Sequence, residues 1–447
     1  MEKYLIVPKQ IVTVNNNDEI IKNGCVEIED GIITQISEVS EFNFSDYKGK
    51  VYKFPNLTLI PGFVQTHIHL CQTLFRGLAE DLELLDWLQQ RIFPYENSHN
   101  RESLRISAQL GIHELLRGGT TTLLDMGTIK HQEVIFDELA KSNMRAIAGK
   151  CMMDVNELYP SFVENTKDSL LESYELAKTF HNSNNGKIHY GFAPRFVLSC
   201  SEELLVETKE IMKEFPDSIY HTHSSENKSE IEEVKRLHNM ENIEYFNSID
   251  ILGDHTVLAH GIHVNEKEIE LLKNTKTRIS HCPSSNLKLG SGIADIPRYL
   301  QENISVSLGA DGAPCNNNLS VTTEMRLASL IQKPQYSPTI MDALSVFRLA
   351  TIEGAKALNL QHSIGSIEVG KKADLVLLNL EKPNVSLNDE NIFASIIYSS
   401  GSENVSEVMI EGKWVVQNGK SLNYDEDELY NNGKVELEKL LKRAKEK

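Results

Sequence analysis

From Leu59 to about Leu360, short apolar runs alternate with amphipathic stretches: LIPGFVQTHIH, TTTLLDM, RAIAGKCMM, KIHYGFAPRF, SIYHTHSSE, TVLAHGIHV, TRISHCPSSN and ISVSLGADG. Each run predicts a strand. Between them, segments such as SEELLVETKEIMKEF and SENKSEIEEVKRLHNM repeat their apolar positions at helical spacing. Strands alternating with helices imply parallel β-α-β units, and eight such units predict a closed α/β barrel. The segment before it has β-rich runs (YLIVPKQIVTV, GCVEIEDGIITQIS) joined by turn signals such as NNND and EDG. After it, GSIEVGKKADLVLLNL and VSEVMIEGKWVVQNGK return to hairpin character, so the two ends are expected to share a β-sandwich. The expected organisation is residues 1–58 as the first part of the sandwich, 59–362 as a catalytic (β/α)8 barrel of TIM type, and 363–447 as the rest of the sandwich plus a charged helix. That last helix, from Asp425, reads by composition as a solvated surface.

Charge narrows the partners. Lys and Arg number 45 against 64 Asp and Glu, a net charge of −19 over 447 residues, which disfavours nucleic acid and acidic membranes and leaves small neutral or cationic ligands open. The N-terminal apolar run is broken by Pro8 and Lys9, and no run approaches the ~20 residues that cross a bilayer. Six well-separated cysteines without a C-x-x-C pair argue against a zinc ribbon or disulfide framework. A cytoplasmic, reducing setting is expected.

Candidate chemistry gathers at the ends of the predicted strands. In QTHIH, His67 and His69 alternate, and the period of two puts both imidazoles on one face, at the C-terminal end where barrel enzymes keep their active sites. His223 closes SIYHTH, His260 closes TVLAH and Asp311 closes SLGAD. Imidazole and carboxylate suit zinc, and a catalytic site leaves a position for water, so four protein ligands plus a water are expected. Iron(II) suits the same donors. His221 stands beside His223, and spacing alone does not decide between them; His223 is favoured because Glu226 follows it.

PGFVQTHIH, HSSEN, VLAHGIH, SHCPSSNLKLGSGIA and GADGAPCNNNLSVTTEMRLASLIQK together resemble the amidohydrolase superfamily, along nearly the whole chain. The likeness is to its branch of S-adenosylhomocysteine, methylthioadenosine and 5'-deoxyadenosine deaminases, guanine deaminase and triazine hydrolases. It implies a distorted barrel flanked by a sandwich from both termini. It implies His67, His69, His223 and Asp311 as ligands of a metal whose bound hydroxide attacks an amino-bearing ring carbon. Glu226 and His260 are then the proton-handling pair, with Asp311 taking the proton of the water. Two-metal relatives use a carbamylated lysine on the fourth strand; KIHYGFAPRF has none at its C-terminal end, so one divalent ion per chain is expected. The likeness also suggests a homo-oligomer.

Specificity is divided. Gln72, Arg195 and Phe196 resemble the base-contacting residues of guanine and 8-oxoguanine deaminases, whereas the downstream segments and TLFRGLAEDLELLDWLQQRIFPYE resemble the adenosine-type enzymes. Trp87 reads either as a cover for a flat ring or as packing from an amphipathic helix. Lys150 on the third strand stands where relatives that bind the amino-acid tail of adenosylhomocysteine carry arginine; it reads as a pocket residue or as a lysine at the core edge. Lysine lacks the bidentate carboxylate contact of arginine, which places smaller 5'-modified adenosines first and an oxopurine or triazine second. A silent, ligand-binding barrel would be expected to lose ligands or acid–base groups, and none is missing.

Overall fold

A computed structural model of the chain describes residues 2–388 and 390–446. The eight expected strands are present as Phe63–Ile68, Thr120–Met126, Arg145–Gly149, Ile188–Pro194, Ile219–Ser224, Thr256–His260, Arg278–His281 and Val306–Leu308. They lie side by side in chain order, every neighbouring pair parallel. Their near-continuous apolar character follows from burial on both faces, the inner one packed in the barrel and the outer one under helices. TTTLLDM and RAIAG, for example, are buried at every position. The helical segments start where the sequence supplies caps: Ser201 accepts from the Leu204 amide, and Asn227 and Glu230 form a capping box.

The barrel is nearly closed. Just past its eighth strand the chain meets the first at the Ile68–Asp311 bridge, where the Asp311 amide donates to the His67 carbonyl at 3.0 Å, and Thr66 Oγ1 adds a 2.7 Å hydrogen bond to Ser307 Oγ of the eighth strand. Gly309 permits this approach, because a Cβ there would fall 2.7–2.8 Å from the backbone and Cβ of His67. The seam of the barrel is therefore also the place where two of the candidate ligands meet.

The chain ends join in one continuous nine-stranded sheet. Lys3–Val12 runs parallel to Lys50–Pro61, which pairs antiparallel with Leu375–Leu378. Lys50–Pro61 leads through Gly62 straight into the first barrel strand, and the Gly62 amide donates to Asp374 O at 2.9 Å. The returning strand thus anchors the base of the strand that carries His67 and His69.

Two segments differ from the sequence reading. The C-terminal helix Glu426–Glu446 is not a solvated tail: Leu429, Gly433, Glu436 and Leu440 are buried, and Leu440 packs with Phe75, Trp87, Leu88 and Phe93. These buried positions repeat at helical spacing, so a strongly charged composition concealed a stripe that spacing carries. The segment LLDWLQQRIF is an α turn (Leu84–Trp87), a π turn (Leu88–Ile92) and another α turn (Phe93–Asn97). Pro94 accounts for the widened turn, because it has no amide to bond the carbonyl four residues back and its ring crowds that carbonyl. Among the described residues, no helix is long and apolar enough to cross a membrane.

Candidate active site

At the C-terminal mouth of the barrel, ligand atoms of His67, His69, His223 and Asp311 lie within 4.8 Å of one another. Each imidazole is oriented from behind. His69 Nδ1 donates to Met126 O at 2.8 Å and His223 Nδ1 to Arg195 O at 2.7 Å, which fixes both Nε2 atoms as lone-pair donors toward the centre. His67 Nδ1 meets His221 Nε2 at 2.8 Å. This resolves the H-T-H ambiguity: His223 faces the cluster, and His221 braces His67.

The arrangement fits a divalent cation. His69 Nε2 and His223 Nε2 stand 3.3 Å apart with no proton available between them, and His67 Nε2 is buried without a hydrogen-bond partner. Asp311 Oδ1 lies 3.3 Å from His67 Nε2 and 3.4 Å from His69 Nε2. Three lone pairs and a carboxylate crowded together repel one another unless a positive ion sits between them. Burial keeps the imidazoles neutral, driving His69 down to about 3 and lowering His67 and His223. Burial alone would raise Asp311, but His67, His260 and His69 together hold its carboxyl well below the usual range. The donors are thus in their ligating forms at neutral pH. The fourth strand places no lysine at the mouth; Lys187, at its other end, pairs with Glu411.

Two of these residues hold a strained backbone. His260 (φ 74°) and Asp311 (φ 62°) are left-handed non-glycine positions at strand ends. Such conformations cost about 1–3 kcal/mol each and persist where surrounding structure enforces them. At Asp311 the enforcement is visible, because its amide is held by His67 O and its Oδ1 accepts the Gly312 amide at 2.7 Å. Ser285 Oγ donates to its Oδ2 at 2.7 Å.

Beside the cluster stand Glu226 and His260. His260 Nδ1 contacts Asn286 Oδ1 at 2.8 Å and must donate to it, which leaves Nε2 as the free atom, 3.4 Å from Glu226 Oε2 and 3.9 Å from Asp311 Oδ2. Burial, with Asp311 and Glu230 nearby, pushes the Glu226 carboxyl well above the ordinary range, which favours its protonated form. Glu230 accepts the Glu226 amide at 2.9 Å and holds this turn in place.

These groups open onto a pocket whose apolar wall includes Leu84, Trp87, Leu88, Phe196 and Leu289. Trp87 lines this pocket and also packs in a buried cluster. Gln72 and Arg195 also line it, but Glu96, which the sequence reading did not single out, engages both: Arg195 donates to Glu96 Oε2 at 2.7 Å and Gln72 Nε2 to Glu96 Oε1 at 2.7 Å. The Gln72 Oε1 atom is left without a protein partner. Asp125, also unremarked in the sequence, accepts the Leu70 amide at 2.8 Å and so fixes the turn after His69; burial raises its carboxyl to about 7.

Lys150 is not among the pocket-lining residues. Its ammonium is fully buried, bound to Ile129 O, Glu164 at 2.6 Å and Glu172 at 3.3 Å. Lys150→Met is expected to destabilise the fold by about 3 kcal/mol, because it strands a largely buried Glu164, while leaving KM unchanged. Denaturant melts beside steady-state kinetics check this; a raised KM would return Lys150 to the pocket.

Residues 58–415 match the Amidohydrolase family. The chain belongs to that family. Over its full length it is 35% identical to the 5'-deoxyadenosine deaminase of Methanobrevibacter smithii, all of which is covered. It is 34% identical to the 5-methylthioadenosine/S-adenosylhomocysteine deaminase of Thermodesulfovibrio yellowstonii, over 96% of this chain and 97% of that one. The crystal structure of an adenosine deaminase from Xanthomonas campestris with bound zinc superposes with a TM-score of 0.92 at 26% identity, covering 98% of both chains. For this amidohydrolase, family membership and the His/His/His/Asp cluster together support a divalent metal.

Proposed function

We propose that this amidohydrolase is a hydrolytic deaminase of a 5'-modified adenosine of the 5'-deoxyadenosine or methylthioadenosine type. The observation that carries the reading is the placement of Glu226 and His260 against the His67–His69–His223–Asp311 cluster, in a chain 35% identical from end to end to a 5'-deoxyadenosine deaminase. The four cluster residues hold one divalent ion, zinc by donor preference. When bound, such an ion lowers the pKa of a coordinated water towards ~7 and so supplies a nucleophile at neutral pH.

The chain's own residues do the rest. Asp311 receives the proton of the attacking water at its carboxylate, whose Oδ2 is kept in place by Ser285. Glu226, protonated at the outset, gives its proton to the ring nitrogen beside the amino-bearing carbon, so that negative charge does not build up in the ring. His260 Nε2, 3.4 Å from Glu226, accepts from the attacking water and orients it. Asp311 then passes the proton it took to the departing amine, which leaves as ammonia, and Glu226 takes back a proton from the new hydroxyl as the ring carbonyl forms. The apolar wall of Trp87, Leu88 and Phe196 takes the flat face of the base and excludes bulk water. The unpartnered Gln72 Oε1 offers an acceptor and so suits a substrate that presents an N–H or O–H.

Pairing of the nearby cations sharpens the choice of substrate. Arg195 is neutralised by Glu96, and Lys150 is engaged by Glu164 and Glu172, so neither is free to clamp the carboxylate of an amino-acid tail. That favours a small 5' substituent over adenosylhomocysteine. The catalytic unit is residues 59–362, supported by strands from 1–58 and 363–447. Six buried, unpaired cysteines suit a reducing compartment such as the cytoplasm.

The test is ammonia release from 5'-deoxyadenosine, methylthioadenosine, adenosylhomocysteine, adenosine, guanine and 8-oxoguanine. Highest kcat/KM is expected for the first two. Guanine as best substrate, with no turnover of any 5'-modified adenosine, would overturn the specificity and leave the deaminase chemistry standing.

A further inference from the structure

The pocket wall is locally weak. Between Trp87 and Glu96 the helix passes through a π turn and Pro94, which interrupt its internal hydrogen bonding, yet Glu96 at its end must hold both Arg195 and Gln72. The missing support comes from the far end of the chain. Leu440 of the C-terminal helix is fully buried in the apolar cluster that also holds Phe75, Trp87, Leu88 and Phe93. One turn further on, Arg443 Nε donates to Ser98 O at 2.8 Å and Arg443 Nη2 to Ser103 Oγ at 3.1 Å. Ser103 belongs to the capping box that starts helix Arg101–Arg117. It also meets His99 Nδ1 at 3.1 Å, and His99 Nε2 donates to Cys71 O at 2.8 Å, two residues beyond His69. Arg443 thus ties together the two ends of the short link, residues 98–103, that follows Glu96.

We propose that Arg443 is a positioning residue for substrate binding: through Ser98 and Ser103 it fixes the Trp87–Glu96 wall, and with it the Arg195–Gln72 pair, without touching substrate. The wall forms only when the C-terminal helix is docked, so the last twenty residues shape a pocket whose other groups lie more than a hundred positions earlier. The kinetic arm of the test rests on the deaminase reading, and the spectroscopic arm does not.

The chain has 2 tryptophans, so a Trp414→Phe background leaves Trp87 in the wall as the sole indole. In that background Arg443→Ala is expected to raise acrylamide quenching of Trp87. It is also expected to raise KM by about tenfold while changing kcat by less than about threefold, with metal content unaltered. Arg443→Lys, keeping the charge and one donor, recovers part of both changes. Leu429→Ala, at the other end of the same helix, lowers Tm but leaves quenching and KM at the parental values. Wild-type quenching and KM in Arg443→Ala would overturn the proposal, as would changes equal to those of Leu429→Ala, or loss of metal. Raised quenching in a protein that turns over none of the nucleosides would keep Arg443 as a prop of the wall and remove the deaminase reading instead. Should Arg443→Ala not fold, Arg443→Lys is read by the same two measurements against Leu429→Ala.

Discussion

Glu226→Gln is expected to leave the protein folded and metal-loaded while lowering kcat by ~10²–10⁴, the usual contribution of a positioned acid or base. The substitution keeps volume and a neutral hydrogen-bonding head, so KM should change little; what it removes is the proton. That proton is present in the wild type because burial first, and the neighbouring Asp311 and Glu230 carboxylates next, raise the Glu226 carboxyl well above its ordinary range. Activity should therefore fall as pH rises through that raised value and the acid form is lost. The residual activity of the glutamine variant should lack this alkaline limb. Stability follows the same sign: a carboxyl whose folded pKa lies above the unfolded one favours folding at low pH, and this contribution is lost as pH rises through the folded value. Glutamine, neutral throughout, should thus be no less stable than glutamate at alkaline pH. Metal analysis, a pH–rate profile and thermal melts check these points together. Loss of metal from Glu226→Gln would make Glu226 a ligand, and unchanged kcat would remove it from the chemistry.

Residues carried by a strand's own periodicity were legible in the sequence. The period of two in QTHIH put His67 and His69 on one face, and the ends of the apolar runs located His223, His260 and Asp311, because a barrel strand delivers its last residues to the mouth wherever it lies in the chain. What escaped were groups that reach the site from behind. Glu96 arrives from a helix broken by a π turn, and Asp125 acts on the backbone of Leu70 from the neighbouring strand. His221 was weighed as an alternative ligand, but its part in bracing His67, from the same strand face as His223, was not foreseen. None of these has a spacing that marks it, since each role depends on a contact across many residues of chain. Lys150 shows the same limit: its strand was correctly placed, but the sequence does not show that Glu164 and Glu172 bind its ammonium. The C-terminal helix is a different case. Its buried positions at 429, 433, 436 and 440 were readable by spacing, and net charge obscured them.

Replacing His67 and His69 together by alanine is expected to reduce bound divalent metal from about one per chain to none, with turnover below detection and the barrel still folded. The two side chains supply two of the three imidazole nitrogens, and what remains, His223 and Asp311, is too few ligands to hold an ion tightly. Folding should survive because the strand that carries them is held by other means: Phe63, Val64 and Ile68 are fully buried, and the Gly62 amide is tied to the Asp374 carbonyl just before the returning strand. Removal of the imidazoles also relieves the crowding of His69 and His223 Nε2 atoms 3.3 Å apart, which offsets part of the packing lost. His67 additionally releases His221, whose Nε2 loses its 2.8 Å partner, so a modest drop in Tm is expected, short of unfolding at ambient temperature. Elemental analysis after dialysis, circular dichroism melts and ammonia release measure the three quantities separately. Metal near one equivalent in the double variant would refute the ligand assignment. Two equivalents in the wild type would require a bridging group that the fourth strand, Ile188–Pro194, does not offer.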